Sequence, residues 1–313
     1  MANTHTLFQQ FNSKLQITDT KKEKMMTSRD NLREKIRKYF EENHEGYNPA
    51  FFIQGSYKMG TMIRTKDDTC DMDDGVYFDS NPDDVTCTTL QTWVKSAVDG
   101  TTDDIQHRRK CITVNYKSDY NIDLPIYLFE EGDDHPSLAV KNAEWKEDDP
   151  KEMVASFNSK KDKNGQLKRI VCYLKAWCDH KREKMPSGLA MTILAMNDLV
   201  TNGRDDIALK FTLIQIEKTL KNKFGCIVPA TPHDDIFANY DEVRKQNFMD
   251  NLASFIVDAK KAVDEEKNEL KASRLWQKHL GDRFPDGEDK NEKTVNAQSV
   301  ATIAGTSKPY YAG

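Results

Sequence analysis

The hydrophobic pattern of this chain changes period near residue 150, and that change constrains the fold more than any other feature. Before it, Tyr120, Ile122, Leu124, Ile126 and Leu128 alternate with Asn121, Asp123, Pro125 and Tyr127, the period-two signature of a strand with two unlike faces. After it the period is helical. Leu167, Ile170, Val171, Leu174 and Cys178 form one stripe; Leu189, Ile193, Leu194 and Val200 a second; Phe248, Leu252, Phe255, Ile256 and Val263 a third. A strand-bearing part followed by an all-helical part predicts an α+β architecture. We divide it as 1–150, a lobe with strands and an N-terminal helix; 151–284, a helical lobe; and 285–313, a mobile tail where the apolar pattern vanishes.

Within the first lobe, Met25, Leu32, Ile36 and Phe40 recur at helical spacing, so a long helix is expected over about 20–43. Asn48-Pro49 breaks that pattern. Phe51-Phe52-Ile53 reads as a short buried strand, closed by Gly55 and Ser56, and Asp71 to Phe78 reads as the next strand. Cys111–Lys117 and Tyr120–Leu128 give the clearest hairpin signal, with Ser118-Asp119 as its turn. Cys226 to Pro232 is a loop between helices.

Composition narrows the function classes. Of 313 residues 37% are hydrophobic, enough for a sizeable core, and the formal net charge of −5 argues against the broad electropositive surface that long nucleic acids require. The six cysteines (Cys70, Cys87, Cys111, Cys172, Cys178, Cys226) form no CxxC pair, and the start lacks a basic segment followed by an apolar run. No stretch approaches the roughly 18 apolar residues of a membrane span. These features predict reduced thiols, a cytoplasmic protein and no membrane association.

The chemistry lies in three carboxylates and a Gly-Ser turn. Asp71 and Asp73 sit two apart on one strand, so both project from the same face, about 6.5–7 Å apart along the backbone. Clustered carboxylates suit a hard cation such as Mg²⁺, which takes few protein ligands and shares the rest with substrate phosphates. Asp123, on the polar face of a later strand, is the best-placed third ligand for a two-metal site. With 51 acidic residues in the chain, an isolated Asp-x-Asp carries little weight. The conjunction carries more: Gly55-Ser56 ends an apolar strand, Asp71 follows Ser56 by 15 residues, and Asp123 stands on a later strand.

Gln54-Gly55-Ser56-Tyr57-Lys58-Met59-Gly60-Thr61, then Asp71-Met72-Asp73-Asp74-Gly75-Val76-Tyr77-Phe78, then Asn121-Ile122-Asp123-Leu124-Pro125 resemble the polymerase-β-type nucleotidyltransferase core in its bacterial cGAS/DncV-like form, the cyclases of CBASS antiphage systems. The resemblance extends to Arg169–Trp177 and Met185–Leu189, and more weakly to Trp276 and Leu280–Phe284. It implies a mixed-sheet catalytic core, a long N-terminal helix bridging two lobes, and a nucleotide cleft between them. The implied reaction is Mg²⁺-dependent synthesis, from NTPs, of a cyclic di- or trinucleotide messenger, with loss of pyrophosphate. By the same resemblance Asp71, Asp73 and Asp123 are the catalytic carboxylates and hold two Mg²⁺ ions, while Gln54, Gly55, Ser56, Lys175 and Ser187 serve the nucleotide. It also implies a ubiquitin-activating-like partner that would conjugate the chain through Gly313. The alternative is another polymerase-β-type enzyme acting on an RNA or protein acceptor, which would use the same carboxylates.

Some residues fit these expectations less well. Ser187 after Pro186 also reads as a helix N-cap, and Lys175 as a solvated lysine. His107-Arg108-Arg109-Lys110 reads as a solvated basic loop or, in the alternative, as a phosphate contact for the incoming nucleotide, and the histidines form no metal constellation. Asp74 falls on the strand face where Met72, Val76 and Phe78 call for an apolar side chain.

Overall fold

The computed structural model describes residues 1–117 and 119–289. Ser118 of the expected turn, most of the expected tail, and Gly313 with its expected conjugation lie outside the described residues.

Two hydrophobic cores organise the chain. The first belongs to the sheet. Helix α2 (Asp19–Asn43), capped by Thr18 accepting from the Lys21 N–H, lays Met25, Leu32, Ile36 and Phe40 against it. Strands β1 (Ala50–Gln54) and β2 (Asp71–Phe78) pair antiparallel, and the five-residue helix α3 (Gly55–Met59) begins where β1 stops. Helix α4 (Cys87–Val98) covers the same face as α2. Then follow β3 (Ile105–His107), β4 (Ile112–Tyr116), β5 (Tyr120–Leu124), β6 (Ile126–Leu128), β7 (Ser137–Leu138) and β8 (Lys146–Glu147). The sheet is mixed, in the order β3-β4-β5-β2-β6-β7-β8, with β1 also on β2.

The second arm of the expected hairpin is two strands. Pro125 has no N–H to give the ladder, so the arm breaks there. Its carbonyl still accepts from Val76 N at 2.8 Å, and both halves run parallel to β2: Asp71–Asp73 opposite Asn121–Asp123, and Val76–Phe78 opposite Ile126–Leu128. Period two then sorts β2. Met72, Asp74, Val76 and Phe78 enter the α2/α4 core, while Asp71, Asp73 and Tyr77 occupy the other face. That second face is not simply polar, because Tyr77 and Tyr127 stack there at 4.6 Å with Leu138 and Val140 beside them.

The second core is helical: α5 (Pro150–Ser159), α6 (Gln166–Lys181), α7 (Gly188–Asp198), α8 (Asp205–Asn222), α9 (Glu242–Lys260), a π turn at Lys261–Glu265, and α10 (Glu269–Leu280). Its helix α5 starts where it does because Asp149 caps it and Pro150 takes its first position. Leu189 and Val200 depart from the expected stripe. They are 40% and 36% exposed, Val200 lying beyond the end of α7, whereas Ile193 and Leu194 are buried.

The long helix does not bridge the lobes. It packs on the sheet, and a shorter helix missed in the sequence, α1 (His5–Leu15), joins the helical core. Phe8 meets Tyr173, Trp276 and Phe284 edge-on at 5.0, 4.9 and 4.8 Å, so the chain crosses between cores at residues 16–18. Nor is the chain free from Pro285 on. Residues 286–288 return to α10, with Gly287 N on Ser273 Oγ and Asp286 on both Arg274 and Gln277. Among the described residues no helix is long and apolar enough to cross a membrane.

Candidate active site

A cleft of about 730 Å³ is lined by residues of both cores. Its floor is the sheet face opposite α2. The parallel register of β2 and β5 sets Asp73 directly across from Asp123 and Asp71 across from Asn121. Asn121 Nδ2 donates to Asp71 Oδ1 at 2.8 Å, and Thr113 Oγ1 of β4 donates to Asp123 Oδ1.

Gly55 lies against Asp73 of this trio. It holds φ +60° where the strand turns into α3, and a Cβ there would stand 2.0 Å from Asp73 Oδ2. Both the left-handed conformation and the contact exclude a side chain. Gly55 and Ser56 line the cleft beside the aspartates.

The trio is electrostatically unsatisfied. Burial raises Asp73, and the charges of Asp123 and Asp71 raise it further, to about 7, against only the pull of Lys175. Among the described residues no hydrogen-bond donor serves its carboxylate. Asp71, although its side chain still reaches solvent, is also raised by burial and by Asp123, and Asn121 and Arg108 only partly offset this. Lys175 comes from α6, and burial depresses it to about 8. Its Nζ donates to Thr61 O at 3.0 Å and to Thr61 Oγ1 at 3.2 Å. Three crowded carboxylates facing one weakened cation form a site short of positive charge, which hard divalent ions bound through oxygen would relieve. The residues therefore fit the expected metal.

The other expected residues divide. Gln54 lines the cleft, but its amide is committed inside the fold: Nε2 donates to Tyr127 Oη at 3.0 Å and Oε1 accepts from Tyr77 Oη at 3.2 Å. Ser187 is the N-cap of α7, its Oγ accepting from Ala190 N at 3.3 Å, while its neighbours Pro186 and Gly188 line the cleft. His107 ends β3 with Nε2 3.0 Å from Gln91 Oε1, so the basic segment is partly built into the sheet, and the charge of Arg108 reaches Asp71.

The structure corrects the reading of the histidines. Ligand atoms of His135, Asp149 and Glu152 all lie within 4.8 Å of one another. Both carboxylates are already engaged in the fold. Asp149 caps Lys151 N and Glu152 N and pairs with His135, and Glu152 accepts from Thr231 N at 2.7 Å. The structure also explains Asp74. Though on the core face, it takes two hydrogen bonds from the Arg33 guanidinium of α2. Asp148 escaped the sequence reading because Asp-Asp-Pro signals only a helix start. It lines the cleft and accepts from Tyr127 Oη at 3.0 Å.

Residues 49–127, the stretch holding the turn and all three aspartates, match the family model for the nucleotidyltransferase domain of DncV-like cyclic GMP-AMP synthases. A cyclic GMP-AMP synthase of Escherichia albertii is 25% identical over 209 residues, covering 61% of this chain and 45% of that protein, so the match spans less than half of the relative's length. Vibrio cholerae DncV, in complex with the linear intermediate pppA(3′,5′)pG, superposes with a TM-score of 0.80 at 17% identity, over 91% of this chain and 97% of that one. Escherichia coli DncV bound to 3′-deoxy GTP gives 0.75 at 19% identity, over 87% and 93%. These likenesses establish a shared fold.

Proposed function

The DncV-like nucleotidyltransferase domain at residues 49–127 is the premise from which we propose that this protein is a cyclic oligonucleotide synthase, making a cyclic di- or trinucleotide signal from NTPs in antiphage defence. The observation that carries the reading is the register of β2 and β5, which sets Asp71, Asp73 and Asp123 on the cleft floor with Gly55 against Asp73. In this reading residues 1–150 supply the chemistry and residues 151–284 close the cleft around the nucleotides.

Asp71, Asp73 and Asp123 would hold two Mg²⁺ ions, which when bound neutralise phosphate charge and acidify the attacking hydroxyl. Gly55 lets the backbone approach the donor triphosphate, Ser56 offers a hydroxyl, and Gln54 fixes the strand end that carries them. Lys175 brings a cation and Ser187 a hydroxyl from the helical side. A ribose hydroxyl of a second nucleotide forms the new bond to the donor α-phosphorus, and the bond to pyrophosphate breaks. A second transfer on the rebound linear product closes the ring.

The test is incubation of the purified protein with all four NTPs and Mg²⁺, without RNA or protein acceptor, followed by phosphatase treatment and mass spectrometry. A phosphatase-resistant cyclic product that disappears in Asp73→Asn is expected. Activity only on an added RNA or protein would overturn the reading.

A further inference from the structure

The cleft has a second polar feature, away from the trio. Asp148 sits between β8 and α5 with Oδ2 held by Tyr127 Oη. Tyr127 is itself fixed by Gln54, and Gln54 by Tyr77, so a buried chain of hydrogen bonds ends on this one carboxylate. Gly75 is part of the same construction, since a Cβ there would meet Gln54 Oε1 and Tyr77 at 2.7 Å. No described residue donates a hydrogen bond to Asp148 Oδ1. Burial, and to a smaller extent the charge of Asp149, raise this carboxyl above the usual carboxylate range, while Tyr127, Lys110 and Lys146 pull it the other way.

The surroundings are of a different kind. Met153, Val228 and Ala230 line the cleft with Asp148, and Leu189, 40% exposed despite its place in an apolar stripe, lies on the α7 side with Pro186. Apolar walls with one anchored carboxylate suit a flat ring with apolar faces and a polar edge. An ionised carboxylate only accepts hydrogen bonds, so it pairs best with two adjacent N–H donors. Guanine offers that pair at N1 and N2. Adenine and cytosine set an acceptor nitrogen beside their amino group, and uracil flanks its N–H with two carbonyls.

We infer that Asp148 is a specificity-determining residue, held in place by Tyr127 and Gln54, that reads the N1–H/N2–H edge of a guanine base in the cleft. The inference rests on the nucleotidyltransferase reading of that cleft. It assigns Gln54 a positioning role for the base as well as for the Gly55 turn.

The test is calorimetric binding of the non-reacting α,β-methylene analogues of GTP, ITP and XTP to the full chain. The wild type should prefer the guanosine to the inosine analogue, which lacks the N2 amino group, by about ten- to a hundredfold, the scale of a hydrogen bond to a charged group. Asp148→Asn offers one acceptor and one donor, which match N1–H and the 2-carbonyl of xanthine, so its order of preference between guanosine and xanthosine analogues should invert. A wild type that binds guanosine and inosine analogues within twofold of each other overturns the inference even if the variant cannot be made. So does an Asp148→Asn protein with a changed melting temperature and unchanged base preference, which would mark the carboxylate as a structural partner of Tyr127. A wild type that binds the α,β-methylene analogue of ATP or UTP but none of these three overturns the guanine reading alone, and one that binds no nucleotide analogue of any base overturns the nucleotide reading of the cleft as well.

Discussion

Asp73 and Asp74 are one residue apart on β2, and the two faces of that strand treat them in opposite ways. Asp74, fully buried on the α2 side, is neutralised by two hydrogen bonds from Arg33. Asp73, on the cleft side, meets two more carboxylates and one depressed lysine. The helical core repeats the first pattern: Asp205, also fully buried, accepts from Gln166, both the Nε and an NH2 of Arg169, and Tyr173. Asp74 and Asp205, both fully buried carboxylates, are therefore each paired and hydrogen-bonded, as desolvation requires. At the cleft floor charge is left unpaired, which costs stability and reserves the groups for a ligand.

The largest expected effect breaks the cleft side of this comparison. Asp73→Asn should lower product formation by more than 100-fold, beyond the losses typical of groups that merely support a metal ligand. It should leave the melting temperature unchanged or raise it, because a like-charge repulsion is removed. Thermal denaturation run beside the product assay checks both. A folded variant with near-normal synthesis would dissolve the distinction between the faces.

Arg33→Met tests the opposite face. Removing one partner of a buried pair typically costs about 3–5 kcal/mol, so a strong loss of stability in urea titration is expected, with activity per folded molecule retained. An equal fall in specific activity without a fall in stability would place Arg33 in the site.

How much of this contrast the sequence revealed follows from the range of the interactions. Asp71, Asp73 and the turn at Gly55 were legible because strand period and a short spacing place them, and the third carboxylate because Asp123 alternates with apolar neighbours. Asp74 stayed opaque because its partner lies 41 positions away on another element. Helix α1 went unread because its aromatic face acquires meaning only against Tyr173, Trp276 and Phe284. Pro125 was visible, but that it splits the arm while β2 bridges the break depends on a third strand. Asp148 resembles any helix cap until Tyr127 and the cleft are present.

A pH titration sharpens the paired side. His279 Nε2 lies 2.9 Å from Asp258 Oδ2 and the ring stacks on Phe255 at 4.4 Å. The carboxylate alone would raise the imidazole, but burial wins and lowers it to about 4. The geometry supports this: Nδ1 is buried without a partner, tolerable for a neutral ring and costly for a protonated one. The sign follows. The unfolded chain takes this proton near 6.5 and the folded chain only near 4, so the contribution is full above 6.5 and is lost as pH falls through that window, at about 1.4 kcal/mol per pH unit. Asp258 itself is lowered despite burial, by His279 and Lys278, and its contribution is lost below the usual carboxylate range. His279→Gln should flatten the stability profile between pH 6.5 and 4, measured by urea unfolding; an unchanged slope would contradict the neutral ring.

Ser187 joins the two regimes, and its substitution should have the smallest effect on the fold. Its Oγ accepts from Ala190 N and so caps α7, which uses a lone pair and leaves the hydroxyl proton free to donate. One hydroxyl can therefore satisfy the helix and still reach a phosphate, and the helix start it caps favours an anion. Ser187→Ala removes both functions: about 1 kcal/mol of stability should go with the cap, and nucleotide affinity should fall about tenfold, the lower end for a hydrogen bond to a charged group. Ser187→Asp separates them. A carboxylate caps as well as a hydroxyl but repels phosphate, so melting should stay near the wild-type value while affinity for the non-reacting GTP analogue falls further than in the alanine variant. Wild-type affinity in Ser187→Asp would reduce this serine to a cap, and the positive side of the cleft would then rest on Lys175 alone among the residues assigned to the triphosphate.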